Sequence, residues 1–381
     1  MFAERFKNRL LIQQQSGLHR NPPEVTIREG KFLLIGNRKV VNFASNDYLG
    51  LSVSEELRQR TARNFQKYGT SSSSSRLVSG NYSVINEAEK AYASYFGYRD
   101  ALFFPSGYQA NLGILSTFLE RGDTVIFDKH IHASAVKGMT MSGADFLGYN
   151  HNSMSHLERR LETYKSRHAA VLTESIFSMD GDILDVPGLQ ILKERYGFLT
   201  IVDEAHAFGA AGIEGRGIAG PVADIAVGTF GKAFCFFGAF VLLPEGFKEY
   251  LFNFSSPLIY TTTLPEAHAA TAIDLLEIIG RSEDKRKHLR EISQFMKEGL
   301  LREGFRVSGD AHILAMEIGD EAKAVQLSRK LLEENIFVLP VRYPTVPLHR
   351  SILRISITAL FEEEDVTLFI DRVKEVYGAL E

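Results

Sequence analysis

Two side chains in this sequence have the type and the setting for carbonyl chemistry. Lys232 follows the apolar run Ile225-Ala226-Val227-Gly228-Thr229 and precedes Ala233-Phe234-Cys235-Phe236-Phe237-Gly238. A lysine at the end of a buried strand and among aromatics is partly desolvated. Desolvation favours the neutral amine, the form that condenses with an aldehyde. Asp203 ends a second apolar run, Leu199-Thr200-Ile201-Val202, and a carboxylate there can pair with a protonated ring nitrogen. A Schiff-base lysine with such a carboxylate is the protein's half of pyridoxal phosphate chemistry. The ordinary alternatives are a solvated surface lysine and a helix-capping aspartate.

Elements of a particular kind must hold these two residues. Short apolar runs recur at 101–104, 124–127, 169–172, 199–202, 225–227 and 239–243, with helix-length segments between most of them. Runs that are apolar at nearly every position suit strands covered on both faces. The alternation predicts an α/β fold with a mostly parallel central sheet and helices on both faces. The gap between Thr229 and Ala239 is too short for a helical crossover, so the 239–243 strand is expected to run antiparallel. Several runs end in polar residues (Asp128, Thr173-Glu174, Asp203-Glu204, Thr229). Ligands of open α/β sheets bind beyond the carboxyl ends of the strands, so these residues point to one crevice. Past Pro265 the sequence turns helical and charged, with shorter strand-like segments at 313–318 and 353–358. The expected organisation is an N-terminal segment over 1–40 packing with a small α+β domain over 271–381, and a large domain over 41–270.

A phosphate group needs backbone N–H groups at a helix N-terminus. Ser106-Gly107-Tyr108 lies after the strand ending at Phe104-Pro105 and before a helix beginning at Gln109-Ala110-Asn111, which is that grammar; Thr229 adds a hydroxyl beside Lys232. Gly215-Arg216-Gly217-Ile218-Ala219-Gly220 satisfies G-x-G-x-x-G, but it does not directly follow a strand and has no acidic residue about twenty positions later, so dinucleotide binding is rejected. His130-x-His132 lacks a third ligand cluster, and no metal is expected.

Composition sets the class. The chain has 381 residues, 45% hydrophobic and 24% charged, with a net charge of −4. That balance fits a globular enzyme and gives no electrostatic case for nucleic acid or an anionic membrane. A single cysteine excludes internal disulfides and cysteine-rich zinc sites. The charged N-terminal segment makes a poor signal peptide, and no long uninterrupted apolar stretch marks a transmembrane helix. A cytoplasmic protein is expected.

Several segments carry a resemblance to a known family. They are Ser45-Asn46-Asp47-Tyr48-Leu49-Gly50-Leu51, Ser75-Arg76-Leu77-Val78-Ser79-Gly80 and Phe177-Ser178-Met179-Asp180-Gly181-Asp182, followed by Asp203-Glu204-Ala205-His206, Gly215-Arg216-Gly217 and Pro344-Thr345-Val346-Pro347. Taken in this order, from about Asn42 to Thr358, the chain resembles the α-oxoamine synthases, pyridoxal phosphate-dependent acyltransferases of fold type I. The resemblance implies a cofactor held as an aldimine on Lys232, which also moves the proton at the substrate α-carbon. It implies that Asp203 pairs with the pyridine nitrogen, His132 stacks on the ring, and His206 and Ser178 lie at the phenolic oxygen. Arg354 and Asn46 would take the amino-acid carboxylate, and Arg20 would stand near the acyl entrance. Thr261-Thr262 would reach the phosphate of a second subunit, giving a homodimer with a shared active site. The run Thr70 to Ser75, by composition a linker, matches a loop that lies over the active site in the family.

The implied reaction joins an amino acid to an acyl thioester with loss of CO2, and releases an α-amino ketone. Ser75–Gly80 resembles the branch that uses L-alanine and a pimeloyl thioester in biotin biosynthesis. Coenzyme A and an acyl carrier protein both remain open as the thiol carrier. Sister activities (2-amino-3-ketobutyrate ligase, 5-aminolevulinate synthase, serine palmitoyltransferase, autoinducer synthase) and a non-catalytic regulatory homologue are the alternatives. The chain also departs from the family. Phe234-Cys235-Phe236-Phe237 replaces a small, glycine-rich stretch, and Ala207-Phe208 replaces a smaller pair. Ile85 stands where relatives often carry histidine, and Leu348-His349-Arg350-Ser351 follows Pro347 in place of Gly-Thr. A repacked core and a pocket shaped for a different acyl chain are the two readings of these changes.

Overall fold

The computed structural model describes residues 2–16, 18–164 and 168–380. Contacts divide the chain into two compact units. One holds the residues up to Gly50, Met179–Asp182 and those from Lys287 on; the other holds Leu51–Ser178 and Ile183–Arg286.

The first unit begins with helix α1 (Phe2–Gln15) and an antiparallel meander of β1 (Val25–Glu29), β2 (Phe32–Ile35) and β3 (Arg38–Asn42). The second unit then runs through α2 (Glu55–Tyr68), α3 (Ser83–Phe96), β4 (Asp100–Phe104), α4 (Gly107–Phe118), β5 (Thr124–Asp128) and α5 (Ala133–Ser142). Strands β6 (Asp145–Tyr149), β7 (Ala169–Glu174) and β8 (Leu199–Asp203) alternate with α6 (Met154–Thr163) and α7 (Val186–Tyr196). Then come β9 (Ile225–Thr229), β10 (Ala239–Leu243), α8 (Phe247–Phe254), α9 (Ser256–Ile259) and α10 (Glu266–Gly280). Its seven strands lie in the order β4-β10-β9-β8-β7-β5-β6.

Strand β10 is antiparallel to both neighbours, as the short 229–239 gap requires, while β5 through β9 pair in parallel. Each apolar run foreseen in the sequence is a strand. Strand β6 was not foreseen: it is the sheet edge, its first residues are exposed, and it lacks the continuous apolar signal of a doubly covered strand. Helix α10 packs against α2 and α3, so it belongs with the large sheet although its sequence lies past Pro265.

The first unit resumes within α11 (Glu283–Arg302). It continues through β11 (Val307–Ser308), β12 (Ile313–Gly319), α12 (Glu321–Glu333), β13 (Ile336–Phe337), β14 (Leu339–Val341), β15 (Ser351–Ser356) and α13 (Glu363–Gly378). Strand β13 adds in parallel to β3, which ties the N-terminal meander to the C-terminal residues. Phe43 packs between Phe361 and Phe369, with ring centroids 4.5 and 4.4 Å away. No helix among the described residues is long and apolar enough to cross a membrane.

Beneath the large sheet lies an aromatic cluster in which Tyr92 contacts Phe96, Phe103, Phe230, Phe234 and Phe240. Phe208 joins it through Phe96 and Phe240. A Cβ at Gly228 would stand 2.3 Å from the Phe240 ring and 2.7 Å from Phe208, so the glycine on β9 makes room for the larger ring. Phe208, Phe234 and Ile85 are all buried. Their burial supports the packing reading.

The serine run is an ordered loop. Ser72 Oγ donates to Thr263 O at 2.8 Å, and Thr263 N donates to Ser74 O at 2.9 Å. At its end Arg76 forms a fully buried ion pair with Glu89 at 2.6 Å, and Glu89 also receives Lys248 Nζ at 2.8 Å and Phe103 N at 2.9 Å. Removing one member of such a network strands the other charge in an apolar setting. Glu89→Ala is expected to lower unfolding stability by about 3–5 kcal/mol in urea denaturation. A loss below about 1 kcal/mol would contradict the assigned role.

Candidate active site

The carboxyl ends of β4, β5, β7, β8 and β9 open on one end of the large sheet, since Phe104 and Thr229 both pair with Ala239 of the antiparallel strand between them. Strand β8 delivers Asp203, which is half-buried. Its Oδ1 accepts the Ala205 N–H and its Oδ2 the Asn111 side-chain N–H, both at 2.9 Å. The same Asn111 amide donates to Ser134 Oγ at 3.0 Å, and Ser134 Oγ meets His132 Nδ1 at 2.7 Å. A hydrogen-bonded chain thus links Asp203 to His132 through α4 and the first turn of α5. Asn111 and Ser134 are buried and serve as connectors that the sequence reading did not single out.

His132 is the residue preceding α5, and its Nδ1 accepts the Ser134 N–H at 3.3 Å. Its ring proton therefore sits on Nε2. Solvent reaches part of the ring, yet the surrounding protein depresses its pKa by desolvation; Lys232 reinforces the shift and Asp203 opposes it. The imidazole is favoured neutral. His130 makes separate contacts: its ring stacks on His151 at 4.1 Å, and His151 Nδ1 lies 3.1 Å from buried Asp128.

Glu174, the last residue of β7, pairs in register with Asp203 on β8. It is buried; Oε2 accepts the Ser178 N–H at 3.1 Å, and Oε1 has no hydrogen-bond partner among the described residues. Burial first, and then the Asp203 charge, push its pKa up to about 8, against the pull of Lys232 and the nearby Ser178 and His132 N–H groups. Glu204 is also buried and is raised to about 7 by burial. It accepts the Ala219 N–H at 2.7 Å and the Ile218 N–H at 3.2 Å, which gives the Gly215–Gly220 segment a structural role. His206 and Ser178 are buried on the turns after β8 and β7.

Lys232 is half-buried in the turn joining β9 to β10, where its carbonyl accepts the Cys235 N–H at 2.8 Å. Thr229 Oγ1 donates to Gly238 O and accepts from Gly231 N, both at 3.1 Å. Ser106 caps α4, its Oγ accepting Gln109 N at 3.2 Å. A Cβ at Gly107 would lie 3.9 Å from that of Thr229, so the α4 N-terminus and Thr229 are neighbours. Tyr108 is exposed beside them. Uncommitted helix N–H groups with a hydroxyl alongside suit an anion such as phosphate. Thr261 is half-buried and Thr262 exposed on the segment leading to α10. Among the described residues no hydrogen bond joins either to this group.

In the other unit Arg354 lies on β15, 6% exposed, and donates to Ser356 Oγ at 2.6 Å. Tyr48 is fully buried, and its Oη donates to Asn46 Oδ1 at 3.0 Å. Burial pushes its pKa up to about 12, while the nearby Arg354 guanidinium pulls it down. The His312 ring packs on Tyr48 at 3.9 Å. Asn46 and Arg354, proposed as a pair from sequence, are therefore joined through a tyrosine that the sequence reading left unassigned. Thr358 Oγ1 donates to Asp47 O and Ala359 N to Tyr48 O, each at 2.7 Å, which fixes this arrangement. Arg20 is exposed.

The raised pKa of Glu174 has a definite sign. The folded state keeps its proton between the ordinary 4.5 and about 8, so this carboxyl removes stability as pH rises through that window. Glu174→Gln mimics the protonated form and is expected to flatten the fall, which reaches at most about 1.4 kcal/mol per pH unit for one proton. Urea melts of both proteins across the window measure the difference. Parallel curves would refute a neutral buried Glu174.

Residues 38–373 match the aminotransferase class I and II family. The 8-amino-7-oxononanoate synthase of Haemophilus ducreyi is 38% identical over 95% of this chain and 97% of its own length. The solved serine palmitoyltransferase of Sphingomonas wittichii superposes with a TM-score of 0.91 at 28% identity, covering 99% of this chain and 97% of that one. The 8-amino-7-oxononanoate synthase of Francisella tularensis gives 0.76 at 30% identity, covering 88% and 97%. This chain therefore belongs to the aminotransferase class I and II family, in its α-oxoamine synthase branch.

Proposed function

We propose that this protein is a pyridoxal phosphate-dependent acyltransferase that condenses L-alanine with a pimeloyl thioester. The products are 8-amino-7-oxononanoate, CO2 and the free thiol, as in biotin biosynthesis. The observation that carries the reading is the hydrogen-bonded chain from Asp203 to His132 at the strand ends from which Lys232 also projects. The residues fit the cofactor by their chemistry. A carboxylate that accepts two N–H groups suits a protonated ring nitrogen, and the α4 N-terminus with Thr229 suits a phosphate.

When bound, the cofactor supplies an electron sink for negative charge at the amino-acid α-carbon. Lys232 Nζ takes the α-proton and returns it to the product. Asp203 holds the ring nitrogen in its protonated form, and Asn111 and Ala205 N fix its orientation. His132 covers the ring as a neutral imidazole, which adds no positive charge beside Lys232. His206 and Ser178 hold the phenolic oxygen. Ser106, Gly107, Tyr108 and Thr229 bind the phosphate, together with Thr261 and Thr262 from a second copy of the chain, so the active form is a homodimer. Arg354 presents a planar fork to the substrate carboxylate. Asn46 assists it, and Arg20 stands at the acyl approach. A coenzyme A or carrier-protein thioester delivers the acyl group.

A second reading, serine palmitoyltransferase activity, is favoured by the TM-score of 0.91 to an enzyme of that name. Titrating the visible absorption of the purified protein with L-alanine, glycine and L-serine separates the two. Tightest response to L-alanine supports the first reading, and tightest response to serine supports the second. A protein that stays colourless with added cofactor would overturn both. Arg354→Lys keeps the charge and loses the fork; it is expected to weaken the L-alanine response about tenfold with cofactor binding retained. An unchanged response would remove Arg354 from the carboxylate site.

A further inference from the structure

Two residues of the Lys232 turn, Phe236 and Phe237, share one neighbour. Within the turn, Phe230 N donates to Gly238 O at 2.9 Å and Phe236 N to Phe230 O at 2.8 Å. Cys235 adopts a positive φ of 51°, an uncommon conformation for a residue with a side chain. The turn is thus tightly folded on itself and strained at a point close to Lys232.

From outside, His268 of α10 holds it. Its Nε2 hydrogen-bonds the Phe237 carbonyl, and the Phe236 ring stacks on its imidazole at 4.6 Å and 29°. Phe230 and Phe103 stand edge-on to the same ring at 5.0 and 6.3 Å. Gly238 has φ +97°, and a Cβ there would come within 3.3 Å of His268 Nε2 and 3.1 Å of Phe104 O. The glycine admits the imidazole to the backbone of the turn. A carbonyl can only accept, so the ring proton is on Nε2, and burial lowers the His268 pKa to about 4. At neutral pH the imidazole is uncharged and puts no second cation beneath the lysine turn.

We propose that His268 is a positioning residue for Lys232. By binding the Phe237 carbonyl and stacking on Phe236, it fixes the turn that aims the lysine amine. The proposal rests on Lys232 being the cofactor-bearing residue. It gives Phe236 a structural partner in the His268 ring.

The test uses the cofactor-loaded protein with His268→Leu, which removes the donor, and His268→Gln, which keeps one. In His268→Leu the pH titration of the bound cofactor's visible absorption is expected to move by about half a unit or more. Release of the cofactor by hydroxylamine should quicken about tenfold, the scale for losing one buried hydrogen bond. His268→Gln should restore much of both. A lowered urea midpoint with a titration and release rate superimposable on the wild type would mean a purely structural histidine and would overturn the proposal.

If His268→Leu fails to fold, Phe236→Leu removes only the stack and should show the same shift to a smaller extent; no shift would again overturn it. A wild type that takes up no cofactor would refute the functional reading alone. The positioning role is then read from the acetylation rate of Lys232 followed by mass spectrometry, and equal rates in wild type and variant would refute it.

Discussion

A carboxylate held at the end of a parallel strand is the constraint around which the candidate site is arranged. Asp203 emerges from β8 where the sheet gives out, and its two oxygens are occupied by the Ala205 N–H and the Asn111 amide. Charged hydrogen-bond acceptors in a partly desolvated setting must be satisfied, or they cost more than they contribute. Asn111 meets that demand and spends its other proton on Ser134, which in turn orients His132. Satisfying one anion therefore sets the orientation of a histidine on a different strand connection.

The same end of the sheet holds more carboxyl groups than it can ionise together. Glu174 stands in register beside Asp203, and Glu204 follows it in sequence. Burial raises both glutamates, to about 8 and about 7. Their backbone N–H donors pull the other way without overcoming the loss of water. Each glutamate anchors main chain: Glu174 holds the Ser178 turn, and Glu204 holds the glycine-containing segment around Ala219.

The departures of this chain from its family divide by location. Phe208, Phe234 and Ile85 are all buried, Phe208 and Phe234 within the aromatic cluster, and the missing Cβ of Gly228 leaves room for the Phe208 and Phe240 rings. Interiors are close-packed, so a larger side chain at one position requires a smaller one nearby. Phe236 lies outside that cluster on the His268 ring, and Phe237 is 64% exposed. Core volume does not account for these two, and the lysine turn is the feature they share.

The apolar runs, their spacing and the short 229–239 gap were enough to establish a mostly parallel sheet with one reversed strand, because burial on both faces and loop length are local properties of the sequence. The same locality placed Lys232, Asp203 and Ser106–Gly107 at or just beyond strand ends, where β9, β8 and β4 finish. Edge strand β6 escaped because solvent on its outer side relaxes the apolar requirement. The partners could not be read in the same way. Glu174 meets Asp203 through strand register; Asn111 meets Ser134 through helix packing; Tyr48 meets Arg354 across a separation of hundreds of residues; and His268 meets Phe237 through the placement of α10. Residue type is written along the chain, but which polar groups must share protons in the absence of water is decided only when distant segments pack together.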